Sequence, residues 1–326
     1  MIEIDHLTKR YGSRTAVSDL NLTIEAGQIY GFLGPNGAGK STTMNIMTGC
    51  LASTEGTVRI DGHDIYEEPA KAKALIGYLP EQPPLYLDMT PLEYLTFVAK
   101  AKGVRGEARQ QQLERAMEVT QIDGVKHRLI KNLSKGYRQR VGIAQALLGN
   151  PRVIILDEPT VGLDPLQIIE IRELIRQLGQ HHTVILSSHI LSEVQAICDK
   201  ILIINRGKLI AFDTPEGLEK RLLAPSEITL TAEGPEETVR SILGEVAHIT
   251  SLEVTQAGGE RATVRLKTDL EDIYDLSRQL FFAFAGRQVA LLELTLKKTD
   301  LEDIFLELTE QPAEEAAGAE EKEEEA

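Results

Sequence analysis

Apolar and polar residues alternate at the start of the chain, in Ile2-Glu3-Ile4-Asp5-His6-Leu7 and again in Leu20-Asn21-Leu22-Thr23-Ile24, so each run predicts a strand. Gln28 to Leu33 is a short, mostly apolar strand, and Gly56 to Gly62 reads as a strand closed by an Asp-Gly turn. Ile76 to Leu79 is a strand that runs into the proline-stiffened segment Pro80-Glu81-Gln82-Pro83-Pro84. Val153 to Leu156 and Thr183 to Ser188 are denser apolar runs, as expected of buried parallel strands. Ser41 to Cys50, Val141 to Leu148 and Leu166 to Leu178 read as helices. From Pro91 to Asn132 the apolar residues Leu92, Leu95, Phe97 and Val98, then Leu113, Ala116, Met117 and Val119, fall at helix-like spacing. A helical insert, residues 84–132, therefore interrupts an α/β frame.

The pattern changes past Asp213-Thr214-Pro215, and a second unit is expected from Ala224-Pro225. Strands are predicted at Glu227–Ala232, Ser251–Gln256, Arg261–Thr268 and Val289–Leu296, with helices at Pro235–Leu243, Asp269–Ala285 and Leu301–Leu308. The order βαββαβ plus a helix suggests a small ferredoxin-like α/β domain. The domains expected are thus residues 1–220, 225–310 and a glutamate- and alanine-rich tail over 311–326, whose composition suits a solvated, disordered segment.

Length and charge narrow the classes. A chain of 326 residues suggests two domains. The Met1–Asp5 start is charged and alternating, unlike a secretory leader, and no apolar run approaches the ~20 residues of a membrane helix. Cys50 and Cys198 stand far from any C-x-x-C pattern and read as buried reduced thiols, which favours the cytosol. The net charge is −15, and the last fifteen residues contribute seven glutamates against one lysine. An acidic chain without a basic stripe argues against sequence-independent nucleic-acid binding.

The chemistry centres on Gly34-Pro35-Asn36-Gly37-Ala38-Gly39-Lys40-Ser41-Thr42, which meets every position of the phosphate-loop pattern G-x-x-x-x-G-K-[ST] between a strand and a helix. Its glycines let backbone N–H groups turn inward, and the helix start adds partial positive charge, both suited to a polyphosphate. Lys40 is expected to reach the β- and γ-phosphates, and Ser41 to place its hydroxyl on Mg²⁺. Leu156-Asp157-Glu158 puts two acids at the end of a buried strand, with Asp157 suited to Mg²⁺ and Glu158 to polarising a water. His189 ends a second buried strand at the edge where ligands bind. Ser134, in Leu133-Ser134-Lys135-Gly136-Tyr137, is a natural helix N-cap. Tyr11 offers an aromatic face ahead of the loop, although a surface turn tyrosine explains it as well.

Over residues 1 to about 220 the chain resembles the nucleotide-binding subunits of ATP-binding cassette transporters. GPNGAGKST corresponds to the Walker A loop, LSKGYRQR to the signature, VIILDEPT to Walker B, GLD to the D-loop and SSH to the switch. The resemblance implies a P-loop NTPase cassette with a parallel-sheet core, an antiparallel β subdomain and a helical subdomain. It also implies that Tyr11 stacks on adenine, Lys40 and Ser41 hold phosphate and Mg²⁺, Asp157 supports the metal and Glu158 is the catalytic base. His189 would then sense the γ-phosphate, and Asp164 would link two sites. In a head-to-tail homodimer, Ser134 and Gly136 would contact ATP held by the opposite subunit.

Two departures stand out. Lys135 and Tyr137 replace the family's glycine and glutamine, and the lysine is expected to add positive charge near phosphate. Glu81 occupies the position of the family's Q-loop glutamine, with Gln82 next to it, so either can meet Mg²⁺ or water. By resemblance the partner is a separate transmembrane permease. GYLPE, LSKGY and LEDIF lean by resemblance toward export, with LEDIF like the closing segment of cassettes linked to drug export and gliding motility, and the permease subunits are expected to hold the chain at the cytoplasmic face of the cell membrane. The alternative is a cassette ATPase acting on ribosomes or DNA, to which one phosphate loop and an acidic chain are poorly suited.

Overall fold

The computed structural model describes residues 1–221, 226–257, 261–268, 270 and 273–297. The helix expected over Leu301–Leu308 and the acidic tail lie outside the described residues. The chain divides into two compact units, Met1–Glu216 and Gly217–Ala326.

The first unit begins with a hairpin of β1 (Ile2–Tyr11) and β2 (Arg14–Ile24), which turns on Gly12 and Ser13 with Tyr11 opposite Arg14. β3 (Ile29–Leu33) follows and leads through the glycine loop into α1 (Lys40–Met47). β4 (Glu55–Ile60) pairs with β1, and the Asp-Gly turn then returns the chain into the short β5 (His63–Asp64). Asp61 and Gly62 have φ of +47° and +81°, as a tight turn of this kind requires. Next come α2 (Pro69–Ala74), β6 (Ile76–Leu79), α3 (Pro91–Ala101), α4 (Gly106–Val119) and α5 (Lys135–Leu147). β7 (Val153–Leu156), α6 (Pro165–Gly179), β8 (Thr183–Ser188), α7 (Leu191–Ile197), β9 (Lys200–Asn205) and β10 (Lys208–Asp213) complete the unit.

Two sheets result. The smaller is antiparallel, in the order β2-β1-β4-β5. The larger runs β10-β9-β3-β8-β7-β6, parallel except for β10. All residues of β3, β7 and β8 are buried, because layers cover both faces of the parallel sheet. Ile2, Leu20 and Ile60 of the antiparallel sheet share one core with Tyr30, Phe32 and Ile155 of the parallel sheet. Burying a side chain of this size contributes roughly 1.5–3 kcal/mol.

The helical layer has its own core, in which Tyr94 and Leu95 of α3 meet Met117 of α4 and Val141 of α5. The signature helix is thus part of the helical packing, in addition to the insert expected from sequence. Thr90 opens α3 with a complete capping box to Glu93, which fixes where the helix starts after the proline-rich segment.

The strands at 2–7 and 20–24 extend in the structure to Tyr11 and back to Arg14, and α2, α7, β9 and β10 add to the elements read from sequence. β9 matters most, since it pairs with β3 directly beside the glycine loop. Cys198 is buried as expected, whereas Cys50, just past the end of α1, is exposed.

After α8 (Pro215–Arg221), the second unit comprises β11 (Ser226–Glu233), α9 (Glu236–Leu243), β12 (Ile249–Ala257), β13 (Arg261–Thr268), α10 (Ile273–Gly286) and β14 (Leu291–Lys297). Its sheet is antiparallel in the order β12-β13-β11-β14, the split βαβ arrangement of ferredoxin-like folds. Ile228, Val264 and Leu266 pack there with Leu276, Leu280 and Phe284 of α10.

Candidate active site

A cavity of about 570 Å³ opens at the C-terminal ends of the parallel strands, the position where ligands bind in open α/β sheets. Asn36, Gly37, Gly39, Lys40, Ser41 and Thr42 of the glycine loop line it. Glu81, Glu158 and His189 complete one wall, and Tyr11 stands at the rim with half of its surface exposed. Gly34, Pro35 and Ala38 support the loop from behind. Ala38 N–H donates to the Pro35 carbonyl at 3.1 Å, and the Ala38 carbonyl accepts from Gly207 N–H at 2.8 Å, which ties the loop to the β9–β10 turn.

Gly39 ends the loop and caps α1 at φ +108°. A Cβ there would stand 2.5 Å from the Ala16 carbonyl oxygen, so both the backbone angle and the space demand glycine. The helix N-terminus is thereby aimed into the cavity. Lys40 is buried and donates from Nζ to the Gly34 carbonyl at 2.7 Å, while the same ammonium lies 3.5 Å from Glu158 Oε1.

Ser187, the last strand residue but one in β8, arranges the two acids. Its hydroxyl donates to Asp157 Oδ1 at 2.5 Å and accepts from Glu158 N–H at 2.8 Å. Ser41 Oγ also donates to Asp157 Oδ1, at 3.2 Å. Glu158 has φ of +48°, a conformation unusual for a residue with a side chain and one concentrated at functional sites. Its carboxylate lies between two side chains, with Oε1 3.5 Å from the Lys40 ammonium and Oε2 3.0 Å from His189 Nδ1. Just behind, the buried Glu193 accepts from the hydroxyls of Thr160 and Ser188 at 2.7 and 3.1 Å, which ties the segment after β7 to the end of β8.

The remaining residues singled out from sequence stand apart from this cavity. Gln82 is exposed and does not line it, whereas Glu81 does. Ser134 caps α5 by accepting from Tyr137 N–H at 3.4 Å, and Asp164 caps α6 by accepting from Gln167 N–H at 3.0 Å. Gly136 is buried beneath Gln167, so the starts of α5 and α6 lie against each other. Sequence reasoning missed Arg14, Ala16 and Val161 in the lining, and Ser187 behind it. The tight turn between Tyr11 and Arg14 was the available signal, since a two-residue turn brings its flanking residues to the same place.

The family model described as ABC transporter matches residues 17–161. The linearmycin resistance ATP-binding protein of Bacillus subtilis is 34% identical over 316 residues, 95% of this chain and 98% of the relative. The bacitracin transport ATP-binding protein of Bacillus licheniformis is 34% identical over 310 residues, 94% of this chain and 97% of its own length. Among solved structures, a dimeric ATP-binding cassette in a post-hydrolysis state with ADP and Pi is 28% identical, with a TM-score of 0.60, covering 66% of this chain and 98% of that one. A phosphate loop, paired acids at a strand end and relatives matched along nearly their whole length lead to one conclusion: the chain belongs to the ATP-binding subunits of ABC transporters.

Proposed function

We propose that the chain hydrolyses ATP as the motor subunit of an exporter whose membrane-crossing part is a separate permease. The observation that carries this reading is the placement of Glu158, buried at the phosphate cavity between Lys40 and His189. A carboxylate so held is suited to accept a proton from a water attacking the γ-phosphate. His189, on the other oxygen, orients that carboxylate and stands where it can meet the phosphate. Lys40 exchanges its carbonyl contact for the β- and γ-phosphates, and Tyr11 stacks on the base. Export follows from the relatives, one named for linearmycin resistance and one for bacitracin transport.

The donor set suits Mg²⁺. Ser41 Oγ and the Asp157 carboxylate are hard oxygen ligands already 3.2 Å apart, and Glu81 adds a third oxygen in the lining. Mg²⁺ in nucleotide sites is commonly held by one or two protein oxygens and the nucleotide's phosphates. Bound there, the ion supplies charge neutralisation for the phosphates. Glu81 rather than Gln82 takes the Q-loop role.

Two copies are expected to close head to tail, with Ser134, Gly136 and Asp164 of each facing the nucleotide of the other. No described helix is long and apolar enough to cross a membrane. A separate permease would be met through a surface of the helical layer. The surface proposed is the aromatic patch of Tyr86, Leu87 and Phe97 on the helical layer, whose side chains are nearly half exposed and whose Tyr86 and Phe97 rings lie 5.4 Å apart. The chain would then sit on the cytoplasmic face of the membrane.

The test is recovery of tagged protein from detergent-solubilised membranes with ATP, beside a Tyr86→Asp/Phe97→Asp variant. Co-purification of a multi-span membrane protein, lost in the variant while basal ATP hydrolysis persists, is expected. Recovery of ribosomes or nucleic acid without a membrane protein would overturn the reading.

A further inference from the structure

A second cavity, about 320 Å³ in volume, lies in the same unit at the opposite edge of the parallel sheet. It is lined just before β8 by His181 and His182, whereas the phosphate cavity lies beyond the far ends of the strands. One wall is a stripe of α4, including Gln112, Arg115 and Ala116, and the facing wall is the end of α6, including Leu178. The volume falls in the range of small-molecule sites, about 300–1,000 Å³.

The polar groups in this lining are biased in sign. It contains Arg115, two histidines and several side-chain amides, but no carboxylate. The Arg115 guanidinium makes no hydrogen bond or ion pair among the described residues. Gln112 Oε1 is committed to Gly149 N–H at 2.9 Å, so its NH₂ is the end left for another partner. His182 Nδ1 lies 2.8 Å from the Pro151 carbonyl, which only accepts, so Nδ1 carries the proton and Nε2 offers a lone pair. Burial lowers the pKa of this ring, which keeps it neutral, with His181 and Arg115 acting in the same direction. The floor is apolar, since Ala116 and Leu178 are almost fully buried. An unpaired guanidinium over an apolar floor, with amide donors around it and no carboxylate in the lining, matches a ligand with an anionic head and an apolar body.

We propose that this cavity is a second binding site, for a small organic anion, separate from the nucleotide site. The occupant would touch α4 of the helical layer and α6 beside the sheet together, so binding would tie the two layers and raise stability by mass action.

The experiment titrates the full chain with naphthalene-1-sulfonate, and with uncharged 1-naphthalenemethanol as the matched probe, following heat of binding and thermal midpoint with and without saturating ATP. Saturable one-to-one sulfonate binding is expected, together with a raised midpoint, no displacement by ATP and much weaker binding of the alcohol. Arg115→Glu, an exposed position, should weaken sulfonate binding at least about tenfold, as expected for losing a charge-assisted contact. Gln180→Trp, at the same lining, should block binding while leaving ATP hydrolysis intact. No saturation below about 1 mM, displacement by ATP, equal binding of the alcohol, or unchanged binding by Arg115→Glu would each overturn the proposal.

Discussion

The side chain of Lys135 lies across Gly162, so that a Cβ built on the glycine would stand 2.1 Å from Nζ. Gln167 covers Gly136 in the same manner, with its Cδ 2.7 Å from where a Cβ would be. The start of α5 and the segment leading into α6 are therefore interlocked by two long side chains, each resting on the other segment's glycine. Within one chain the Lys135 side chain rests on Gly162, while the phosphate it is expected to approach belongs to the opposite subunit. Gly162 has φ of +69°, so Gly162→Ala should cost about 1–2 kcal/mol through the backbone. Adding Lys135→Ala to that variant should recover little in urea unfolding, because a lysine tip can swing into solvent. Full recovery would assign the cost to the contact instead.

Gly77 in β6 permits a closer approach. A Cβ there would lie 2.1 Å from the Ala146 carbonyl oxygen, which belongs to the backbone of α5 and has no side chain to move aside. Gly77→Ala should therefore destabilise the chain by about 1–3 kcal/mol, as overpacking does. Denaturant unfolding measures this, and a change of a few tenths would show that the strand and helix separate easily.

Removing the 3.0 Å contact between His189 and Glu158 should slow chemistry rather than weaken binding. His189→Ala is expected to lower kcat at least about 100-fold, the scale for losing a positioned catalytic group, with little change in KM for ATP. Steady-state phosphate release checks this. A raised KM with kcat preserved would make His189 a binding residue only.

His182 gives stability a dependence on pH. Burial holds its folded pKa below the ordinary value of 6.5, with the Pro151 carbonyl opposing the effect and His181 and Arg115 adding to it. The unfolded chain then binds a proton that the folded chain does not. The contribution is fully present above pH 6.5 and is lost as pH falls through that value toward the folded pKa. His182→Gln should thus flatten the loss of stability between about pH 7 and pH 5, measured by urea midpoints. An unchanged slope would exclude this histidine as its source.

Much of this was legible from the chain. GPNGAGKST and the paired acids after Val153–Leu156 each combine a local pattern with a required backbone, so the strand–loop–helix and the strand-end site could be read directly. The wall contributed by Arg14 and Ala16 was not, because it depends on how the β1–β2 hairpin folds over the loop, and Val161 reaches the lining only through the path of the turn after β7. Ser187 escaped for the same reason, since only the β7–β8 pairing brings its hydroxyl between Asp157 and Glu158. Glu81 and Gln82 are neighbours in sequence, and only the path of the segment after β6 separates one in the lining from one in solvent. β9 is a buried apolar run like β7, but its edge partner β10 follows after the unremarkable pair Arg206-Gly207, a turn signal easily passed over.

The central claim is that Glu158 activates water for ATP hydrolysis. Phosphate release and nucleotide binding by Glu158→Gln, measured beside the wild type, test it most directly. The substitution keeps size but replaces one carboxylate oxygen by an NH₂ that only donates, which removes the base. Turnover should fall at least about 100-fold while ATP is still bound and two copies associate around it. Hydrolysis at near wild-type rate in the variant would contradict the account.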